Sequence, residues 1–261
     1  MQPILKYRIS NISYGTQRVL NDVSFDLFEG EVLGIVGESG SGKSTLIHSI
    51  LGILDQKQAQ VEGKIIFEDK DLLTLSSQAI RQVRGHHISM VFQDTEQSFC
   101  AVRTIGSQII EAVQAHHQDS VDDIKRRTLE MFENVGLSNP KRVFDSYPFE
   151  LSGGMNQRVG VCLAMLLRPQ ILLADEPTSA LDVTVQKEVI KEMMMLKETL
   201  KTSLILVSHD FGVIQAMADR VLVMKSGTIV ESGRTQDIMN HPQHEYTKAL
   251  IEAIPILRRH T

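Results

Sequence analysis

The sequence has no tryptophan and only two cysteines, and aromatic residues make up 5% of its 261 residues. Cys100 and Cys162 form no C-x-x-C pair, which excludes a disulfide framework and a zinc ribbon and favours a reducing compartment. No run of about eighteen apolar residues occurs, and the first residues lack the basic and apolar parts of a signal peptide. We therefore expect any membrane role to be peripheral.

The sequence also lacks an excess of basic residues. It has 32 acidic residues against 27 lysines and arginines, which gives a formal charge of -5. Such a chain has no global positive field that would attract nucleic acid, and we expect no nucleic-acid partner. Hydrophobic residues make up 42% and charged residues 23%, as in folded globular proteins. This composition argues against disorder and against coiled-coil rods.

Short apolar runs alternate with longer helical patterns along the chain. The runs predict buried strands at 32–36, 171–174, 204–207 and 221–224. The helical patterns lie between them, for example at 44–54 and 185–200. This alternation predicts an α/β fold with a parallel sheet covered by helices. Residues 5–10 and 20–26 instead alternate at a period of two, which predicts a small antiparallel sheet.

Between about residues 94 and 150 the sequence has few strand-like runs. Helical periodicity is present at 105–116 and 124–135, and Ser120 to Asp123 offers a capping start to the second helix. We predict a helical insertion here. A further amphipathic helix is predicted at 246–254, after a polar tail that begins at Ser232-Gly233.

The strongest motif is G-x-x-x-x-G-K-[ST], which lies between a predicted strand and a predicted helix. Glycines in this context let backbone N–H groups surround phosphate oxygens at the positive end of the helix. Lys43 would bridge the β- and γ-phosphates, and the Ser44 hydroxyl would bind Mg²⁺. A dinucleotide fold would need a third glycine that is absent. We expect a nucleotide to bind at Gly37, Glu38, Ser39, Gly40, Ser41, Gly42, Lys43, Ser44 and Thr45.

Two carboxylates follow the predicted strand at 171–174. Asp175 could hold the Mg²⁺ shell and Glu176 could polarise an attacking water, although strand ends often carry acids for solubility alone. His209 follows another predicted strand and could sense the γ-phosphate. A single histidine at such a place is more often a polar cap.

A second glycine motif opens a helix about twenty residues before Asp175: Leu151-Ser152-Gly153-Gly154-Met155-Asn156-Gln157-Arg158. Open N–H groups at a helix start make a second phosphate site. The motif resembles the signature of ABC transporter ATPases. The resemblance implies head-to-tail dimers in which Ser152, Gly153 and Gly154 complete the nucleotide site of the partner. Met155 stands where many members have glutamine.

The resemblance extends from Tyr14 to His209. Tyr14 is similar to the aromatic residue that stacks on adenine, and Gln93 to the residue that contacts Mg²⁺ or water. The segment 179–182 is similar to the loop that lines the dimer interface. The resemblance implies a P-loop NTPase fold with a RecA-like parallel-sheet core, an N-terminal antiparallel β subdomain and a signature-bearing helical insertion. It also implies a division of the chain into four segments. Residues 1–93 and 169–231 form the ATP-binding core, 94–168 form the helical subdomain with the signature motif, and 232–261 form a C-terminal extension.

The C-terminal segment resembles one branch of this family more specifically. It resembles the H-P-x-H-P-Y-T-x-A-L element of oligopeptide, dipeptide and nickel importer ATPases, with Glu245 in place of the second proline: His241-Pro242-Gln243-His244-Glu245-Tyr246-Thr247-Lys248-Ala249-Leu250. A second departure is that the stretch after Gln93 lacks the proline that is common there.

The implied function is an ATP-hydrolysing subunit of a peptide or nickel importer with ATP and Mg²⁺. Implied partners are transmembrane permease subunits, a second identical or related ATPase and, indirectly, an extracytoplasmic solute-binding protein. The implied location is the cytoplasmic face of the inner membrane. A soluble ABC ATPase and a binding-only subunit remain alternatives.

Two histidine pairs, His86-His87 and His116-His117, suggest a metal site at first sight. Adjacent residues on a helix point about 100° apart, so each pair alone would chelate poorly. We interpret them as surface residues that carry no information about nickel.

Overall fold

The computed structural model describes residues 2–55, 57–179 and 181–253. Its strands are β1 Pro3–Tyr14, β2 Gln17–Phe28, β3 Val32–Val36, β4 Ala59–Phe67, β5 Lys70–Asp71, β6 Ile88–Val91, β7 Ile171–Asp175, β8 Ser203–Ser208, β9 Arg220–Lys225 and β10 Thr228–Arg234. Its helices are α1 Lys43–Leu51, α2 Ser77–Val83, α3 Thr95–Ser98, α4 Ile105–Gln114, α5 Val121–Asn134, α6 Pro140–Asp145, α7 Gly153–Leu166, α8 Val183–Leu200, α9 Phe211–Met217, α10 Thr235–Asn240 and α11 Glu245–Glu252.

The chain forms two compact units. The first comprises 1–74 and 205–261, and the second comprises 75–204. Strand β8 crosses the boundary between them. Within the described ranges, no helix combines the length and the apolar character that a membrane span needs.

An antiparallel sheet opens the first unit, with strand order β2-β1-β4-β5. Strands β1 and β2 form a hairpin in which Tyr14 pairs with Gln17, and Gly15 takes the positive φ of 59° that the tight turn requires. Buried and exposed residues alternate along much of β1, as expected for a sheet with one face on a core. The predicted antiparallel sheet is confirmed, and β4 extends it beyond the two segments that the sequence indicated.

The parallel part of the first unit carries the phosphate loop. Every residue of β3 is buried, and β3 pairs in parallel with β9, which pairs antiparallel with β10. A carboxylate oxygen of Asp219 accepts the Val32 N–H at 2.8 Å and fixes the start of β3. Helix α9 packs closely on this strand, because a Cβ added to Gly34 would lie 2.9 Å from Ile214 Cγ2. The loop that leaves β3 therefore starts from a rigid strand.

The second unit contains the predicted helical insertion. Strands β6 and β7 pair in parallel, and every residue of β7 is buried. Helices α4, α5 and α7 each begin at a hydroxyl residue that accepts a backbone N–H of the first turn: Thr104, Ser120 and Ser152. The predicted cap at Ser120 is confirmed. The parallel strand pairs, the antiparallel sheet and the helical insertion together confirm the predicted α/β class.

Some helix ends differ from the predicted ones. Helix α1 ends at Leu51 rather than residue 54, because Gly52 adopts a left-handed conformation and its N–H caps the helix carbonyls. The predicted tail helix is present as α11, while its predicted end at Ile254 lies outside the described residues. The four-part division at residues 93, 168 and 231 stays a prediction.

Candidate nucleotide site

The loop between β3 and α1 has a backbone that only glycine tolerates at two positions. Gly42 has a φ of 101°, and a Cβ there would lie 2.5 Å from Leu20 Cδ2. A Cβ at Gly37 would lie 2.2 Å from the Met224 carbonyl oxygen. The motif glycines are thus required by close packing as well as by the curl of the loop.

Lys43 holds this loop in its curled form. The side chain is buried, and Nζ donates to the carbonyl oxygens of Gly37 at 2.8 Å and Glu38 at 2.9 Å. Gly42 is the N-cap residue of helix α1 and provides no side-chain hydrogen bond to the N–H groups of the first turn. Ser41 Oγ is buried without a hydrogen-bond partner. A cation, a helix start and an unsatisfied hydroxyl fit the phosphate groups of a nucleotide.

The remaining residues predicted to bind the nucleotide differ in their exposure. Glu38, Ser39, Gly40 and Ser44 are exposed, and Thr45 is half-buried. Gly40 takes a φ of 79°. The Ser44 hydroxyl at the first turn of α1 is a suitable oxygen ligand for Mg²⁺.

A residue of the C-terminal element contacts the phosphate loop, and the sequence alone did not reveal this role. The Glu38 N–H donates to the hydroxyl oxygen of Tyr246 at 2.9 Å. The Tyr246 ring is buried and lies under the Lys225 ammonium, which is 4.8 Å from its centroid. Burial raises the pKa of Tyr246, so its hydroxyl stays neutral. The tyrosine of the tail motif therefore supports the loop.

The element around Tyr246 is itself anchored. Glu231 on β10 accepts the N–H groups of Gln243 at 2.7 Å and His244 at 3.1 Å. His244 Nδ1 accepts the Tyr246 N–H and caps α11. These bonds fix the position from which Tyr246 reaches the loop.

Two further predicted residues lie in the first unit. Tyr14 is half-buried at the end of β1, where its ring can offer a face to an adenine. His209 is exposed directly after β8, and Asp210 beside it caps α9 by accepting the Gly212 N–H at 2.7 Å. The turn is thus structured, and it presents His209 at the surface of the first unit.

The second unit brings Gln93 and Glu176 together. Gln93 Nε2 donates to Glu176 Oε2 at 3.3 Å. Asp175 is the buried last residue of β7, and Glu176 follows it with a φ of 46°, a left-handed conformation that is strained for glutamate. Such strain is typical of residues held in place for chemistry. Gln93 is therefore in hydrogen-bond contact with the carboxylate for which the sequence predicts a role in water activation.

The signature segment lines a cavity of about 350 Å³ in the same unit. Ser152 caps α7 by accepting the Met155 N–H at 3.3 Å. A Cβ at Gly154 would lie 2.7 Å from Val185 Cγ1, so the start of α7 packs closely on α8. Asp182, the last residue of the predicted interface loop, caps α8 and also lines this cavity. The three motif residues Ser152, Gly153 and Gly154 thus open together onto one concave surface.

An ion-pair cluster ties α7 to α8, and its members Arg158 and Glu188 line this cavity. Arg158 contacts Glu188 at 2.5 Å and Glu192 at 3.1 Å. Burial raises the pKa of Glu192 to about 7, with Arg158 acting in the opposite direction and Glu188 adding to the rise. This cluster could not be predicted from the sequence, because Arg158 lies thirty or more positions before the two glutamates.

A buried hydrogen bond also joins the segment after Gln93 to the signature helix. Thr95 Oγ1 donates to Gln157 Oε1 at 2.7 Å. A Cβ at Gly160 would lie 2.2 Å from Thr95 Cγ2. The segment that lacks the usual proline is therefore held directly against α7.

The two histidine pairs lie outside helices, so the prediction that each pair occupies adjacent helical positions is wrong. His86 and His87 are in the turn before β6, and His116 and His117 follow the end of α4. His86 Nδ1 and His117 Nε2 are 3.1 Å apart and share a hydrogen bond. His116 is exposed, whereas the other three are half-buried.

Two segments of the chain match known protein families. Residues 20–179 match the family described as ABC transporter, and residues 230–261 match the C-terminal region of oligopeptide and dipeptide transporters. The chain belongs to the ABC transporter family, as an ATP-binding protein with the peptide-transporter C-terminal region. It is an ATPase, and its hydrolysis of ATP is coupled to transport.

Individual relatives agree with this assignment. The chain is 43% identical to the dipeptide transport ATP-binding protein DppD of Haemophilus influenzae, over 91% of this chain and 72% of that protein. It is 41% identical to the metal-staphylopine import system ATP-binding protein CntD of Staphylococcus aureus, over 90% and 86% of the two chains. Among solved structures, it resembles the dimeric ATP-binding cassette MJ0796 bound to ADP and phosphate with a TM-score of 0.76 and 25% identity, over 88% and 98%.

Proposed function

We propose that this chain is the ATP-hydrolysing subunit of an importer for peptides or for metal complexes, including nickel complexes. The observation that carries the proposal is the C-terminal element, which matches the oligopeptide and dipeptide transporter region and contacts the phosphate loop through Tyr246. Relatives named for dipeptide transport and for metal-staphylopine import support both solute classes.

The proposal gives each site residue a part in binding or hydrolysing ATP. Gly37 to Thr45 surround the phosphates, with Lys43 as the principal cation, and Tyr14 stacks on the adenine. Glu176 orients the attacking water and Gln93 holds the Glu176 carboxylate in place. His209 stabilises the γ-phosphate. Mg²⁺ would be held by Ser44, Gln93 and Asp175, and when bound it offsets the charge that develops on the phosphates.

The proposed working unit is a head-to-tail dimer with an identical or related ATPase. Ser152, Gly153 and Gly154 then complete the partner's site, because they line a concave surface at a helix start, where backbone N–H groups attract phosphate. The dimeric state of the MJ0796 cassette supports this arrangement. ATP would close the dimer, and hydrolysis would reopen it.

The proposed location is the cytoplasmic face of the inner membrane, where the chain docks on transmembrane permease subunits. A solute-binding protein outside the membrane would deliver the solute to those permeases. The test is co-expression with the permease subunits. The chain should sediment with membranes only in their presence, and ATP hydrolysis in proteoliposomes should rise with the delivered peptide or metal complex. A chain that stays in the supernatant in both cases would favour a soluble ABC ATPase instead.

A further inference from the structure

A cavity of about 840 Å³ in the second unit lies outside every site described above. Its wall carries Arg81, Arg84, His86, His87 and His116, together with glutamine side chains. None of its lining residues is a carboxylate. Its volume falls in the range of pockets that hold small molecules.

The wall is built from two segments that are fixed to each other. Gly85 turns the chain with a φ of 77°, and its N–H donates to the Ile88 carbonyl at 2.8 Å. The hydrogen bond between His86 and His117 joins this turn to the segment after α4. A Cβ at Gly85 would lie 2.8 Å from His116 Nε2, so the two segments touch. The cationic groups are therefore held close together by packing.

The surroundings of these cationic groups disfavour their protonated forms. Burial lowers the pKa of His86, and His87, His117 and His116 lower it further. Burial and His117 lower the pKa of His116. Burial and the neighbouring Arg81 lower the pKa of Arg84. The groups that lower the pKa of His86 besides burial are three other histidines, and a multiply charged anion would favour the protonated form of these rings.

We propose that this cavity binds a small phosphate-bearing anion. Arg81 and Arg84 supply permanent positive charge, and the planar guanidinium group matches the oxygens of phosphate. His86 and His116 gain protons as the ligand enters. The described residues contain no group of three or more His, Cys, Asp or Glu side chains that could hold a metal ion. The arginines in the wall favour an anion.

Histidine ring NMR of the full chain tests the proposal. The pKa of each ring is measured from pH 5.5 to 8.5 with and without inorganic pyrophosphate, at matched ionic strength in sodium chloride. We expect pyrophosphate to raise the pKa of His86 and His116 by about one unit, which corresponds by linkage to about tenfold tighter binding to the protonated form. The same titration of Lys43→Ala, which lacks the cation of the phosphate loop, separates the two sites, because the shifts at His86 and His116 should persist in it.

Matched variants decide the outcome. Arg81→Ala removes an exposed cation, and we expect it to weaken pyrophosphate binding at His86 about tenfold or more at pH 6. His241→Gln changes an exposed histidine of the tail and should leave this binding unchanged. Unchanged pKa values for His86 and His116 would overturn the proposal. The proposal would also be overturned if sodium chloride alone raised these pKa values by the full amount, or if Arg81→Ala bound pyrophosphate as tightly as the unmodified chain.

Discussion

Tyr246 offers a sharp test of how the C-terminal element acts on the nucleotide site. Tyr246→Phe removes only the hydroxyl that accepts the Glu38 N–H at 2.9 Å, and it retains the ring under Lys225. A neutral hydrogen bond contributes about 0.5–1.5 kcal/mol. Because Glu38 is exposed and water can replace the lost acceptor, we expect the lower half of that range.

The expected consequence is a weaker affinity for ATP. Without the hydroxyl, the loop must be ordered by the nucleotide, and a loss of about 0.5–1 kcal/mol corresponds to about a two- to fivefold higher Kd. The melting temperature should change little, since the ring stays buried. Titration with ATP in the absence of hydrolysis measures the Kd, and steady-state kinetics should show a raised KM with kcat unchanged.

Tyr147→Phe is the matched control, because Tyr147 is a partly exposed tyrosine of the second unit. It should bind ATP as the unmodified chain does. An unchanged Kd in Tyr246→Phe would refute the reasoning, as would an equal change in both variants. A loss far above tenfold together with a large drop in melting temperature would mean that Tyr246 acts through folding rather than through the loop.

Further predictions concern the other parts of the site. Lys43→Ala should abolish tight ATP binding, measured by equilibrium titration, because it removes the cation that the loop surrounds. Gly154→Ala should lower ATPase activity while leaving ATP affinity intact, since its Cβ would lie 2.7 Å from Val185 Cγ1 and displace the start of α7; full activity would show that this packing does not matter. The raised pKa of Glu192 means that its contribution to stability is present below its ordinary pKa and is lost as pH rises through about 7. Glu192→Gln should therefore flatten the dependence of melting temperature on pH between 5 and 8, and an unchanged slope would contradict the assignment.

The sequence predicted those features that depend on neighbouring residues. The phosphate loop, the buried strands and the cap at Ser120 are local patterns, and the structure has them. The strand end predicted Glu176 and the resemblance implied Gln93, and the two side chains lie in hydrogen-bond contact. Helix ends were less accurate, because a single left-handed residue such as Gly52 stops α1 without interrupting its apolar pattern.

Contacts between distant residues could not be predicted in this way. Tyr246 meets Glu38 across more than two hundred positions, and Thr95 meets Gln157 across 62. The four histidines looked like two separate pairs, since the sequence does not show that the turn before β6 meets the end of α4. Such pairings are set by tertiary packing, which periodicity and spacing do not encode.

The central claim is that two chains complete each other's nucleotide site, and a mixing experiment tests it most directly. Lys43→Ala and Ser152→Arg should each be inactive alone. An equal mixture should regain about a quarter of the unmodified ATPase rate, since half of the dimers are mixed and each holds one intact site. The unmodified rate should rise more steeply than linearly with concentration and vanish in Glu176→Gln. Full activity of Ser152→Arg alone, or no recovery on mixing while the unmodified chain hydrolyses ATP, would contradict the account.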